Sequence, residues 1–313
     1  MTRSATVEVE LDGILVLAKP PGPTSHDIVA LVRRLTGVRR VGHGGTLDPF
    51  AAGVLPVFLG RATRMVEYHL ADEKAYRALV VFGARSSTDD LNGELTPVDG
   101  AAPDRAAVED ALKGFTGWIE QVPPDHSAVR VAGRHAYELA RHGEKPELRA
   151  RRIEIRGLDL TTWDGSDPTR PVATLEVRCS AGTYIRSLAR DLGEKLGSGA
   201  YLVALTRTAS GPFRLEDAHT LDEARDALAA GRASRLLLPS DAGLDAYPRL
   251  TLGAEDLAVL ARGQAVRHHG GKELASGPAG LLRVVDEAGR LAAMARFESG
   301  RLHPEKVFLA PEH

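Results

Sequence analysis

One carboxylate stands alone in a glycine-rich stretch. The segment VGHGGTLDPFAAGVLP, Val41 to Pro56, carries Asp48, His43 and four glycines. Glycine admits backbone conformations that a Cβ excludes, so Gly42, Gly44 and Gly45 predict a tightly shaped loop. Pro49 fixes its own φ and restricts Asp48 before it. Such a loop can hold one acid in a set direction for nucleophilic attack or proton removal. Taken alone, it fits equally well a tight turn with a solvated aspartate. A second chemically active type is Arg186, in RCSAGTYIRSLARDLG, just beyond a strand-like run and at the start of a helical pattern. Ends of strands commonly carry functional groups, although a first-turn arginine by itself reads as a surface residue.

Other chemistries find little support. His43 has no nearby Cys or His partner in the sequence, so a metal reading is rejected. The single cysteine, Cys179, cannot form an internal disulfide or a thiolate cluster. It lies in the apolar run VATLEVRCS and reads as a buried, inert thiol, which fits a reducing cytoplasm. The glycines at 42–45 lack the Lys-Ser/Thr that completes a phosphate-binding loop.

The elements that must position these residues follow from periodicity. Ile14 to Leu17 are strand-like, and Lys19 to Pro23 break the run. Thr24 and Asp27 have capping-box spacing ahead of a helix whose Ile28, Leu31, Val32 and Leu35 share a face. Tyr76 to Phe82 and Val172 to Cys179 read as strands. DRAAVEDALKGFTG predicts a helix with Val108, Leu112 and Phe115 on one stripe. Ile185, Leu188, Ala189 and Leu192 predict another, and Thr220 with Glu223 a third. Residues 120–160 look irregular, with many arginines interleaved with acids; this reads as a mixed surface field and one candidate nucleic-acid face. From about 246 the pattern resets to a short helix (Leu257, Leu260) and a hairpin across Val284–Val285 and Leu291–Ala295.

The chain has 313 residues with 40 basic and 42 acidic side chains, 43% hydrophobic and 26% charged. That suits a globular protein with a large domain and a small satellite. The near-neutral charge argues against a strongly basic nucleic-acid footprint but leaves room for a local patch. The first residues, MTRSATVEVELDG, show no signal-peptide core, and no stretch approaches the roughly 20 apolar residues that cross a bilayer. A soluble protein with no membrane association is expected.

Longer motifs sharpen this. VLAKPPGPTSHD, VGHGGTLDPFAAGVLP, QVPPDHSAVRVAGRHAYELAR, RCSAGTYIRSLARDLG and LTRTASGPF occur in the order, and with the character, of the bacterial TruB-family tRNA pseudouridine synthases. The resemblance spans nearly the whole chain and is weakest in the tail. It implies an α+β fold, with a central mixed, mainly antiparallel sheet flanked by helices, and a small C-terminal β-rich domain resembling a reduced PUA domain. The implied division is residues 1–245 for the catalytic domain, including a tRNA-binding middle segment at about 120–160, and 246–313 for the satellite.

The resemblance also implies a reaction: uridine 55 of the tRNA T-loop becomes pseudouridine, with no metal, redox cofactor or energy source. Asp48 matches the catalytic aspartate, as nucleophile at C1′ or base at C2′. Arg186 matches the arginine that pairs with it and would fix its direction. Tyr76 matches the active-site tyrosine that stacks on the flipped uracil. His43 matches a histidine that holds the T-loop open, and Tyr184 and Leu205 match residues lining the uracil pocket. Lys19 and Pro20 belong to the first motif and are expected to brace the catalytic loop; Arg141 and Arg151 are candidates for phosphate contacts. The implied partner is tRNA, through T-loop and T-stem and possibly the acceptor end, with no guide RNA and a monomeric enzyme. The sequence departs from the family pattern at Gly44, His126, Arg130, Tyr201 and Thr206, none of which removes Asp48, Tyr76 or Arg186. Three other readings stand beside the synthase: a non-catalytic tRNA-binding or tRNA-folding protein, a guide-dependent relative, and an unrelated Asp-dependent hydrolase.

Overall fold

The structure, a computed structural model, describes residues 11–131, 133–270 and 272–309. The N-terminal stretch read as lacking a signal-peptide core lies largely outside the described residues. Among the described residues no helix is long and apolar enough to cross a membrane.

The chain opens with β1 (Gly13–Lys19), α1 (Ser25–Thr36), β2 (Val41–His43), β3 (Ala52–Leu59) and β4 (Lys74–Phe82). An 11-stranded sheet runs in the order His219–Thr220, β1, β3, Ala200–Ser210, β4, Val172–Cys179, Arg151–Asp164 and Gly117–Gln121, with β2 pairing to β3. The β1 pairing with His219–Thr220 and the β3 pairing with Ala200–Ser210 are parallel; the other pairs are antiparallel. This is the mixed, mainly antiparallel sheet that the resemblance implies.

β1 and β3 are apolar almost throughout because both their faces are covered. Leu15, Leu17, Leu55, Val57 and Leu59 pack against Ile28, Val29 and Val32 of α1. Ile14, Val16, Val54 and Phe58 pack on the opposite side against Met65 and Phe213. On α1 the Thr24–Asp27 capping box is formed, and Val29 rather than Leu31 completes the buried stripe. β4 instead alternates: Tyr76, Ala78 and Val80 face inward, while Arg77 lies outside and pairs with Glu176.

That inward face positions the site. The helices Arg105–Leu112 and Ile185–Lys195 cover it with Val108, Leu112, Ile185, Leu188 and Leu192. Leu47, beside Asp48, joins the same cluster. The aspartate loop and the Arg186 helix are thus brought over one side of one sheet.

The middle segment is more regular than its composition predicts. It contains Gly117–Gln121, a small hairpin (Arg130–Val131 with Arg134–His135), the helix Ala136–Arg141, and Arg151–Asp164, a strand of 14 residues. Ile153, Ile155 and Leu158 are buried while most of the charged residues face solvent. Register shifts between Ile155 and Gly157 and between Leu160 and Thr162 interrupt the alternation, so the sequence does not read as a strand.

A second sheet orders Arg249–Thr251, Leu281–Val285, Leu291–Glu298, Arg301–Val307 and Val266–Arg267, with the helix Ala254–Ala261 against it. It is not free-standing. Leu281, Met294 and Phe308 enter the cluster of Ile14, Phe58 and Met65. Arg61 and Arg64 donate to the carbonyls of Phe308 and Val307, and Lys306 donates to that of Arg64.

Candidate active site

Asp48 sits in the loop between β2 and β3, with its side chain about one third exposed. Arg186 lies in the first turn of the Ile185–Lys195 helix and is 4% exposed, so it is a buried arginine and not a surface one. The two meet as a fork: Arg186 Nε donates to Asp48 Oδ2 at 2.9 Å and Nη2 to Oδ1 at 3.2 Å. Paired charge-assisted bonds fix the plane of a carboxylate as well as its position. Two of the remaining guanidinium protons are also hydrogen-bonded, and a second carboxylate lies near. Nη2 donates to the His126 carbonyl at 2.9 Å and Nη1 to that of Thr88 at 3.2 Å, while Asp90 Oδ2 is 3.7 Å from Nη1. Arg186 is therefore held from three directions before it holds Asp48.

The loop is anchored independently. Lys19 Nζ donates to the carbonyls of Pro20, Pro23 and Pro49, at 2.9, 2.8 and 3.3 Å. Burial lowers its pKa to about 8, against the pull of Asp48. Ser25 Oγ accepts from the Leu47 amide at 2.9 Å, and the Gly22 amide donates to the Pro49 carbonyl at 2.8 Å. Arg207, buried in the strand Ala200–Ser210, donates from Nε to the Val54 carbonyl at 2.9 Å, from Nη2 to Gly45 at 3.1 Å and from Nη1 to Thr46 at 3.3 Å.

The glycines divide differently from the expectation. Gly45 and Gly53 have φ of +120° and +118°, where a side chain is strained. A Cβ on Gly53 would lie 2.3 Å from the Arg207 carbonyl oxygen, so this glycine lets β3 approach the neighbouring strand. Gly42 and Gly44 keep negative φ; Gly42 faces open space, and a Cβ on Gly44 would meet the Phe58 ring at 3.1 Å.

Tyr76 is buried on β4, paired in register with Arg207 and Val177, and shares a cluster with Leu47, Leu205 and Ile185. Burial raises the pKa of its phenol, with Arg207 pulling the other way, so the hydroxyl stays protonated at neutral pH. Tyr184 caps the Arg186 helix. Its peptide is bracketed by Gln121, which accepts from the Tyr184 amide at 2.8 Å and donates to its carbonyl at 3.1 Å. His43, half-buried on β2, accepts at Nδ1 from the Gly45 amide at 3.3 Å. Its ring lies edge-on to His26 at 5.8 Å, and burial, then His26, lowers its pKa.

The structure thus gathers Asp48, Arg186, Tyr76, Leu205, Tyr184, Lys19 and His43 around one loop. Arg151 belongs to the same neighbourhood: it pairs with Gln121 and its charge acts on Tyr184. Pro20 is exposed and contributes a carbonyl. Arg141 stands apart at the end of its helix, exposed and 5.5 Å over the Tyr137 ring. The sequence reading did not single out Arg207, Gln121, Asp90 or His26. An arginine inside an apolar strand was the available signal for Arg207. Cys179 is buried, and desolvation raises its thiol pKa to about 11, so it is inert.

The chain is similar to known proteins over most of its length. Residues 33–185 match a family model described as TruB family pseudouridylate synthase (N terminal domain), and residues 186–245 match one described as tRNA pseudouridylate synthase B C-terminal domain. Proteins named tRNA pseudouridine synthase B are similar along most of the chain. That of Symbiobacterium thermophilum is 51% identical, covering 82% of this chain and 83% of its own. That of Thiobacillus denitrificans is 42% identical, covering 95% and 96%, and that of Thermobifida fusca 43% identical, covering 95% and 98%. Among solved structures, an H/ACA RNP bound to a substrate RNA containing 2′-deoxyuridine shares the fold at TM-score 0.71 and 24% identity, covering 99% of this chain and 89% of that one. An archaeal box H/ACA sRNP complex aligns at TM-score 0.68 and 26% identity, covering 99% and 90%. The chain belongs to the TruB family of pseudouridylate synthases.

Proposed function

We infer that this chain isomerises uridine 55 of tRNA to pseudouridine. The observation that carries the reading at the level of the site is the forked Arg186–Asp48 pair, whose carboxylate is partly open to solvent while its partner is buried. In the reaction the N1–C1′ bond breaks, the uracil turns, and C5 bonds to C1′. The C5 proton leaves and N1 gains one, so no atoms are gained or lost overall. Asp48 is assigned the attack on C1′ or removal of the C2′ proton; both use a carboxylate held in a fixed plane. The buried, protonated Tyr76 is assigned to stack on the uracil, with Leu205 and Tyr184 completing the pocket. His43, kept neutral by burial, is assigned to the space the flipped nucleotide leaves.

The T-loop and T-stem are the proposed contact region, with Arg151 beside the pocket as a phosphate contact and Arg141 as a more distant one. We assign residues 1–245 to catalysis and 246–313 to a PUA-like satellite that binds the acceptor end. Its firm seating on the catalytic core suits a role in holding a long RNA in register. The enzyme is proposed to act as a monomer without guide RNA. Identity to the tRNA pseudouridine synthase B proteins, 42–51% for the three described, far exceeds that to the H/ACA structures, which supports the guide-free reading. We place it in the cytoplasm on the strength of its lone, unpaired cysteine. The test is incubation of the pure protein with unmodified tRNA transcript, followed by chemical labelling of pseudouridine and primer extension. A new stop at the T-loop uridine is expected. Binding without product would favour a tRNA-folding protein, and product only on adding a second RNA would favour guide dependence.

A further inference from the structure

Arg190 lies one turn beyond Arg186 on the helix Ile185–Lys195, four residues on and so on the same face. It has no part in the chemistry assigned to Asp48, Tyr76 and Arg186. Its guanidinium is nonetheless tied down on every nitrogen. Nη1 donates to Asp89 Oδ2 at 3.0 Å, Nη2 to the Val122 carbonyl at 2.9 Å and Nε to Asp191 Oδ1 at 2.9 Å. Ser187 Oγ donates to the same Val122 carbonyl at 2.8 Å.

Two segments outside the helix hold Arg186 against Asp48, and Arg190 reaches both. The first is the turn at 86–92. Its Thr88 carbonyl accepts from Arg186 Nη1, and Asp90 lies 3.7 Å from that nitrogen. Asp89, between the two, is the residue that pairs with Arg190. Its φ is +61°, in the left-handed region that disfavours side chains, and such a conformation persists where the surroundings fix it. Here they do: the Asp89 carbonyl accepts from the Leu202 amide at 3.1 Å while the carboxylate takes Arg190. Burial raises the Asp89 pKa to about 6, so at neutral pH it still meets Arg190 as an anion; Arg186 and Asp191 are the other charges acting on it. The second segment is 122–126. Its His126 carbonyl accepts from Arg186 Nη2, and its Val122 carbonyl is the one held by Arg190 and Ser187. Pro123 and Pro124 restrict the backbone between these two residues, so a grip on Val122 carries to His126.

We propose that Arg190 is a positioning residue for the isomerisation: by clamping Asp89 and Val122 together it sets where the Thr88 and His126 carbonyls stand, and through them the direction in which Arg186 holds Asp48. The inference rests on the synthase reading. Arg190 acts only through Arg186 in this scheme and does not meet the nucleotide.

The experiment is single-turnover pseudouridine formation with enzyme in excess and saturating, for wild type, R190M, R190M/D89N, R186K and R186K/R190M. Each is assayed at a temperature where it is folded, with tRNA binding measured separately. R190M is expected to lower the saturated rate about tenfold, part of the roughly 100-fold that a displacement near 1 Å costs, with tRNA affinity within about twofold of wild type. R190M/D89N removes both charges and should stay slow, because Val122 is still released. Adding R190M to R186K should cost less than about twofold, since the fork that Arg190 aligns is already gone. Should R190M not fold, R190Q takes its place with the same expectations. A saturated rate for R190M within about twofold of wild type, a loss confined to tRNA affinity, or the full tenfold loss repeated in the R186K background overturns the proposal. So does a wild-type rate in R190M/D89N, which would trace the loss to an unpaired buried carboxylate. Wild type that makes no pseudouridine on unmodified tRNA overturns the synthase reading instead.

Discussion

Replacing Arg207 by methionine removes a side chain that ties the aspartate loop to the strand Ala200–Ser210. Three backbone carbonyls, those of Gly45, Thr46 and Val54, lose their donor in a buried setting. Each such loss costs about 1–3 kcal/mol. The change also removes a guanidinium whose charge burial disfavours, which lowers its pKa and offsets part of the loss. A net destabilisation of about 3 kcal/mol follows, on the order of 5 °C in melting temperature for a chain of this size. The effect on rate has a different origin. Gly45 and Thr46 lie three and two residues before Asp48, so loosening them shifts the carboxylate, and a displacement near 1 Å costs about 100-fold. Arg207→Lys keeps the charge but carries its donors on a single nitrogen and cannot span the three acceptors, so it should recover only part of the rate. The assay is urea unfolding alongside pseudouridine formation with enzyme in excess, at a temperature where the variant is folded and tRNA binding is measured separately. A folded R207M with a rate within about threefold of wild type would refute the reasoning; Lys19 and Ser25 would then suffice to hold the loop.

Two further outcomes follow from the same geometry. R186K keeps a positive charge but loses the fork on Asp48 and the grips on Thr88 and His126; its rate should drop by about 100- to 1000-fold with tRNA affinity unchanged, and a normal single-turnover rate would show that direction does not matter. Folding depresses the Lys19 pKa from 10.5 to about 8, so between those values the unfolded chain binds more protons and stability rises with pH. K19M should remove up to one proton's worth of that slope, about 1.4 kcal/mol per pH unit; unfolding curves at pH 8 and 10 that give K19M the wild-type slope would exclude this origin.

What the sequence revealed was local. Both threonine-led capping boxes, the strand Val172–Cys179 and the helix after it appear where their spacing puts them. The aspartate loop was legible because proline and glycine punctuate it, though Gly45 and Gly53 carry the strained φ values and Gly42 and Gly44 do not. The hidden parts depend on distant contacts. Arg207 reaches Thr46 across 161 residues and Gln121 reaches Tyr184 across 63, and no local pattern encodes either. Arg186 reads as a surface residue because its burial comes from three separate segments closing over it. The strand Arg151–Asp164 was masked by solvent-facing charges and two register shifts.

The most direct test of the central claim, that Asp48 held by Arg186 performs the isomerisation, is tritium release from tRNA labelled at C5 of uridine, measured for D48N under enzyme excess beside a filter-binding measurement. Rejoining at C5 expels that hydrogen, so release reports the final bond. The amide keeps the size of the carboxylate and can still accept from Arg186, so folding and tRNA binding should persist while release falls to background. Release from D48N at near the wild-type rate would contradict the account and move the chemistry to another group.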